Sequence, residues 1–232
     1  MYEDNHLIIV KKPANMPSVP DKTCEPSTYD WVKQYIKDTR KKPGNVFLGV
    51  FQRLDRPVSG VLAFARTSKA AKRLTRAIRH REVRKCYLAV THGVPGKACG
   101  TETMWLEKDQ KRNLVRITTE GTGKVATTHW RVLRRLEDGH ALILLEPATG
   151  RPHQLRLTLA KLGCPIVGDL KYGAPVPLED RSIALHSLGI RMTHPVKKTE
   201  LLVCSAPDRL PFPKISTHEV MSAWKSAASP AG

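Results

Sequence analysis

The feature that most constrains this chain is a rhythm of short apolar runs broken by turns. Strand-length runs lie at 6–11, 45–51, 60–65, 85–92, 113–118, 125–136, 140–146, 183–192 and 200–206. Gly, Pro, Asn or Asp punctuates most of the gaps. Within 85–92 the alternation places Cys86, Leu88 and Val90 on one side and Lys85, Tyr87, Ala89 and Thr91 on the other. Helical patterns are fewer. One starts at Ser27 or Thr28 and runs to about Asp38, one spans 68–80 with Ser68 as N-cap, one spans 151–161 with Pro152 in its first turn, and one spans 216–227 before a frayed end at 229–232. Residues 40–44 stop the first helix, Gly163 suits the C′ position after the third, and Asn15 suits a turn that needs positive φ. Many strands with a few interspersed helices predict an α+β fold with a largely antiparallel sheet. No linker or repeat divides the chain, so residues 1–232 read as one domain, with a motif-bearing core at 2–212 and a helix and tail at 213–232.

Composition decides what such a sheet could serve. Hydrophobic residues make up 41% of the 232, too many for a disordered basic protein. The formal net charge of +18 points to a polyanionic partner, nucleic acid first and an anionic membrane surface second. The basic helix at 68–80 carries mostly small apolar residues opposite its charges, unlike a membrane-lying helix. No apolar run is long enough to span a bilayer. The start, Met1-Tyr2-Glu3-Asp4, is unlike a secretory or transit peptide. The five cysteines are odd in number, widely spaced and without a C-x-x-C pair, which predicts reduced thiols and a cytoplasmic protein. The histidines lack metal-ligand spacing, so no metal is expected.

Three segments place polar residues where strand or helix patterning alone would not. In Gln52-Arg53-Leu54-Asp55-Arg56-Pro57-Val58-Ser59-Gly60 a carboxylate sits between two arginines, which can orient it and favour its ionised form. An oriented carboxylate is what nucleophilic attack at a sugar carbon needs, although a loop aspartate tied to nearby backbone looks the same in sequence. In Arg84-Lys85-Cys86-Tyr87 the tyrosine can stack on a base or simply pack across strands. In Thr149-Gly150-Arg151-Pro152-His153-Gln154-Leu155-Arg156, helical spacing puts His153 and Arg156 on one face. Arg156 lies between two leucines, and if partly buried it needs a carboxylate, for which Asp55 is the obvious candidate.

Each segment is weak alone. Their order is not. Lys12-Pro13-Ala14, then Arg-Leu-Asp-x-x-x-Ser-Gly, Arg-Lys-x-Tyr, Thr-Gly-Arg-x-His-Gln-Leu-Arg, Pro-Ile-Val-Gly-Asp-x-x-Tyr-Gly and Leu-His-Ser-Leu resemble the RluA-type pseudouridine synthases. The resemblance covers about residues 2–212. It implies a mixed, mainly antiparallel sheet in two abutting halves with an RNA-binding cleft. It further implies isomerisation of a uridine in transfer or large-subunit ribosomal RNA, without metal or organic cofactor. By motif position Asp55 matches the family's essential aspartate, acting as nucleophile or base. Tyr87 matches the tyrosine that packs on the target base and can serve in proton transfer, and Arg156 the basic residue that pairs with the aspartate. Arg53, Arg56, Arg151, His153 and Gln154 are expected to bind substrate.

The chain departs from the family pattern at Gln52, which replaces the usual His, at Asn15, which replaces Gly, and at Cys164, where Gly-His-Pro is usual. The motif blocks begin almost at the first residue, so no S4-type RNA-binding domain is expected, and RNA selection falls to the catalytic domain or to partners. The protein is expected to act as a monomer. The competing reading is a non-catalytic RNA-binding or ribosome-assembly protein that keeps the fold, but such a protein has no need of a carboxylate in a cationic cleft.

Overall fold

The structure, a computed structural model, describes residues 1–41 and 44–227. Part of the expected stop at 40–44 and the frayed end at 229–232 lie outside the described residues. In chain order the elements are β1 (Tyr2–Glu3), β2 (Leu7–Lys12), α1 (Thr28–Arg40), β3 (Gly49–Val50), β4 (Ser59–Ala65), α2 (Ser68–Arg79), β5 (Arg84–His92), β6 (Cys99–Asp109), β7 (Leu114–Thr118), β8 (Lys124–Arg135), β9 (His140–Pro147), α3 (Gln154–Lys161), β10 (Leu185–Thr193), β11 (Glu200–Cys204) and α4 (Thr217–Ala227). The strands form one sheet in the order β1-β2-β4-β10-β5-β9-β8-β6-β7, with β11 on β10 and β3 on β4. The β4–β10 pairing is parallel, and the neighbouring pairs are antiparallel. The architecture is therefore the mixed, mainly antiparallel α+β fold expected, with both halves built on one continuous sheet.

The central strands explain why their sequences read as apolar runs rather than clean alternation. Ser59–Ala65 is buried at every position, as is 86–91 of β5, because both faces of the sheet are covered there. Leu88, Leu142, Leu144 and Leu188 join Val32 and Ile36 of α1 and Leu159 of α3 in the larger core. On the opposite face, Leu7, Ile9, Val61 and Ala63 pack with Ala70 and Leu74 of α2.

Local details differ from the expectation in four places. Thr67, not Ser68, caps α2, its hydroxyl accepting from Ala70 N at 3.2 Å. The run expected at 45–51 pairs only over Gly49–Val50, after which the chain peels away from β4. Strand β6 was not anticipated: its buried residues are few (Met104 and Leu106 among them), because it lies near the exposed edge of the sheet. The third helix starts at Gln154, three residues later than expected, because His153 takes a left-handed conformation with φ of 52°.

Candidate active site

The Asp55 loop joins β3 to β4 and is held at several points. The Ser18 hydroxyl donates to Leu54 O at 2.8 Å and accepts from Leu54 N at 3.0 Å. The fully buried Lys12 ammonium donates to Pro13 O, Met16 O and Arg56 O at 2.9, 2.6 and 3.0 Å. Desolvation pulls its pKa down to about 7, against the opposing pull of the Asp55 charge. Behind the loop, Ser59 Oγ meets His186 Nδ1 at 2.8 Å. Gly60 has φ of 114°, and a Cβ there would lie 2.2 Å from Ser187 O. Only glycine permits that approach of β4 to β10. The Lys-Pro-Ala and Ser-Gly blocks are thus the struts that place Asp55.

The opposite wall is the turn into α3. Residues Gln154 to Leu159 are all buried, so this short helix is enclosed on every side. Arg156, 6% exposed, donates from Nε and Nη2 to the two oxygens of Asp169 at 2.6 and 2.5 Å, and from Nη1 to Asp55 Oδ2 at 3.5 Å. Its guanidinium also lies 4.9 Å from the centre of the Tyr172 ring. Burial works against the charge, but the Asp169 hydrogen bonds and both carboxylates outweigh it and raise the Arg156 pKa. The principal partner of Arg156 is therefore Asp169, in the Pro-Ile-Val-Gly-Asp block, and Asp55 is the second. A bidentate pair fixes the guanidinium plane and leaves one edge free to face the cleft.

His153 also faces Asp55, with Nε2 at 3.9 Å from Oδ2, although it stands outside the helix. Its Nδ1 lies 2.6 Å from the Tyr172 hydroxyl, which accepts from Val115 N at 3.1 Å. The same hydroxyl lies 3.3 Å from Val115 O, a second acceptor for its proton. Burial pulls the His153 pKa down to about 4, so the ring is neutral at pH 7. Tyr87, 8% exposed on central β5, lines the cleft beside Asp55. Burial, with the Asp55 charge adding, pushes its hydroxyl pKa up, while hydrogen bonding with Ser187 pulls the other way.

The walls enclose a cleft of about 710 Å³, within the range of ligand sites. All eight residues singled out in the sequence line it. The structure gives three of them partners within the chain, and for Arg56 this corrects the expectation. Arg56 does not hold Asp55: its Nε donates to Asn15 O at 3.0 Å and its Nη2 pairs with Glu25. The Arg151 Nε donates to Val125 O at 2.9 Å, which ties it to β8. The Gln154 oxygen accepts from Thr149 and Arg151 N, and its nitrogen donates to Thr127 O and Thr128 Oγ1. That side chain is spent on shaping the turn. Arg53 is exposed at the rim. Gln52 Nε2 donates to Val61 O at 3.4 Å, while its buried Oε1 has no partner. Lys85, Lys108 and Lys171 add positive charge to the lining, and only Asp21 and Asp55 add negative charge.

Sequence reasoning missed Asp169 and Tyr172, although both lie in one of the quoted blocks. The signal was present, since a buried arginine in an apolar helix needs an acid and that block supplies one.

Comparison with known proteins agrees with this geometry. A family model described as RNA pseudouridylate synthase matches residues 6–161. The dual-specificity RNA pseudouridine synthase RluA of Escherichia coli (strain K12) is 35% identical over 199 residues, 84% of this chain and 86% of that protein. The Haemophilus influenzae protein of the same name is 34% identical over 197 residues, 84% of this chain and 87% of its own length. Among solved structures, human RNA pseudouridylate synthase domain containing 4 superposes with a TM-score of 0.72 and 26% identity, over 89% of this chain and 87% of that one. Human RNA pseudouridylate synthase domain containing 1 gives the same score and identity over 99% and 94%. The chain belongs to the RNA pseudouridylate synthase family, the isomerases that turn uridine in RNA into pseudouridine.

Proposed function

We propose that the protein isomerises a specific uridine in transfer or ribosomal RNA, with Asp55 as the group that acts on the ribose. The observation that carries this reading is the Asp55 carboxylate in a cationic cleft, 3.5 Å from a guanidinium that Asp169 already holds rigid. The uridine leaves its stack to reach the carboxylate, at a cost of a few kcal/mol. Phosphate contacts from the basic rim offset that cost. Tyr87 covers one face of the base and keeps the detached uracil from water.

Asp55 either adds to C1′ or takes the proton from C2′. On both routes the C1′–N1 bond breaks and its electron pair leaves on the uracil. The base turns and C5 bonds to C1′; on the first route the Asp55–C1′ bond breaks as this bond forms, and on the second Asp55 returns its proton to C2′. The C5 proton is then lost and N1 gains one. Arg156 holds Asp55 in line throughout, with the neutral His153 ring beside it.

The test combines mapping with one substitution. RNA incubated with the protein is read for new pseudouridine, and Asp55→Asn is compared with the parent. We expect one or a few uridines to convert, Asp55→Asn to abolish conversion, and RNA affinity to stay within a few-fold. Parallel loss of binding and conversion would make Asp55 a structural residue instead.

A further inference from the structure

Two lysines are held in opposite ways, one buried behind the Asp55 loop and the other in the cleft lining. Lys12 is fully buried and spends its ammonium on three carbonyls, as a strut does. Lys85 is half-buried, lines the cleft, and has no hydrogen-bond or ion-pair partner among the described residues. Its side chain reaches from β5 to the turn before α3, where its Nζ lies 3.6 Å from the place a Cβ on Gly150 would occupy. The neighbouring Arg84 is neutralised by Glu146 at 2.5 Å, so that acid is already used. Withdrawing an ammonium from water without a partner costs free energy, and burial pushes the Lys85 pKa down accordingly. A cation held this way in a cleft is arranged for an anion the free protein lacks.

Its register shows which part of a substrate it meets. Lys85 and Tyr87 are two residues apart on one face of β5, about 7 Å along the strand. A base stacked on Tyr87 would bring either its far edge or the phosphate of its own nucleotide to the ammonium. The uracil set free by C1′–N1 cleavage is an anion whose charge reaches its carbonyl oxygens. Both sources present the same chemistry. We propose that Lys85 binds a negatively charged oxygen of the target nucleotide, on the phosphate or on the departing uracil. The proposal rests on the reading of this site as an RNA uridine isomerase.

The experiment uses the full chain and an RNA hairpin carrying the uridine mapped as above. Lys85→Met keeps the length and removes the charge, and Lys85→Arg keeps the charge. We expect Lys85→Met to lower kcat/KM by about 10–100-fold and Lys85→Arg to recover most of it. If phosphate is the ligand, the loss falls on affinity, and the slope of log affinity against log salt becomes shallower by about 0.7. If the uracil anion is the ligand, the loss falls on kcat with affinity within twofold. The melting temperature of Lys85→Met should hold or rise, since a poorly solvated charge has been removed. A Lys85→Met protein that turns over within twofold of the parent overturns the proposal, and so does one that loses activity because it melts lower. A parent protein that converts no uridine defeats the underlying reading instead, a result visible before any variant is made.

Discussion

The positive charge of this protein falls into two regions that behave differently. At the cleft floor, Arg156 and Lys12 are buried and their donors are taken by named acceptors. On α2, Lys69, Lys72, Arg76 and Arg79 are exposed and none is paired with a carboxylate among the described residues. Arg73, beside them, donates to Pro195 O. Burial makes a cation a fixed piece of geometry, whose loss strands its partner. Exposure makes it a contributor to the field, interchangeable with its neighbours and screened by salt. A net charge of +18 counts both kinds alike.

The sharpest way to break this contrast is Asp169→Asn. It removes the acid that fixes Arg156, and we expect a stability loss of about 3–5 kcal/mol by urea unfolding. We also expect turnover to fall by about 100-fold, because the guanidinium no longer keeps Asp55 in line. A stable and active variant would show that Asp55 alone anchors Arg156.

Acid should next distinguish the regions. His153 and His186 are both pulled down to about 4 by burial, against about 6.5 in an unfolded chain. Below 6.5 the unfolded state binds more protons, so their contribution is complete above that pH and is lost as pH falls toward 4. Each should contribute on the order of 1–3 kcal/mol to that loss. Urea midpoints at pH 7 and pH 4.5 measure it, and replacing His186 with Gln should flatten the dependence. An unchanged slope would mean that His186 titrates as an exposed histidine does.

The smallest effect belongs to the surface. The double variant Lys72→Ala/Arg76→Ala should leave kcat within twofold and the fold unchanged. If α2 meets RNA phosphates, the salt slope of affinity becomes shallower by up to about 1.4, two contacts' worth. A fall in kcat with an unchanged slope would move α2 from the field to the machinery and blur the distinction drawn above.

The same division governs what could be read from the chain. The buried strands were legible as continuous apolar runs, and the α2 stripe by its helical periodicity. That Asp55, Tyr87 and Arg156 belong together was readable because their motifs are contiguous, and the structure places all three along one cleft. The pairing of Arg156 with Asp169 was not, because a partner thirteen residues away beyond a helix end is a matter of tertiary approach. Nor was the left-handed His153 visible, since nothing in Arg-Pro-His-Gln marks a positive φ at a histidine. The hydrogen bonds of Gln154 to the turn before α3 and to β8 were not visible either, because a polar side chain in a motif reads the same whether it faces substrate or its own backbone. Strand β6 escaped because a strand near the sheet edge needs few apolar residues.

The close approach of Gly60 to Ser187 has a consequence for how the protein comes to be made. The strands that seat Asp55 are joined across the sequence: Ser187 Oγ reaches Val61 O across a separation of 126 residues. Contacts of such long range form late, after the entropy of closing the loop has been met. During synthesis β4 and its aspartate leave the ribosome well before β10 does. A nascent chain can therefore fold its local helices and hairpins, while the Asp55 loop waits for its backing strand until β10 has been delivered.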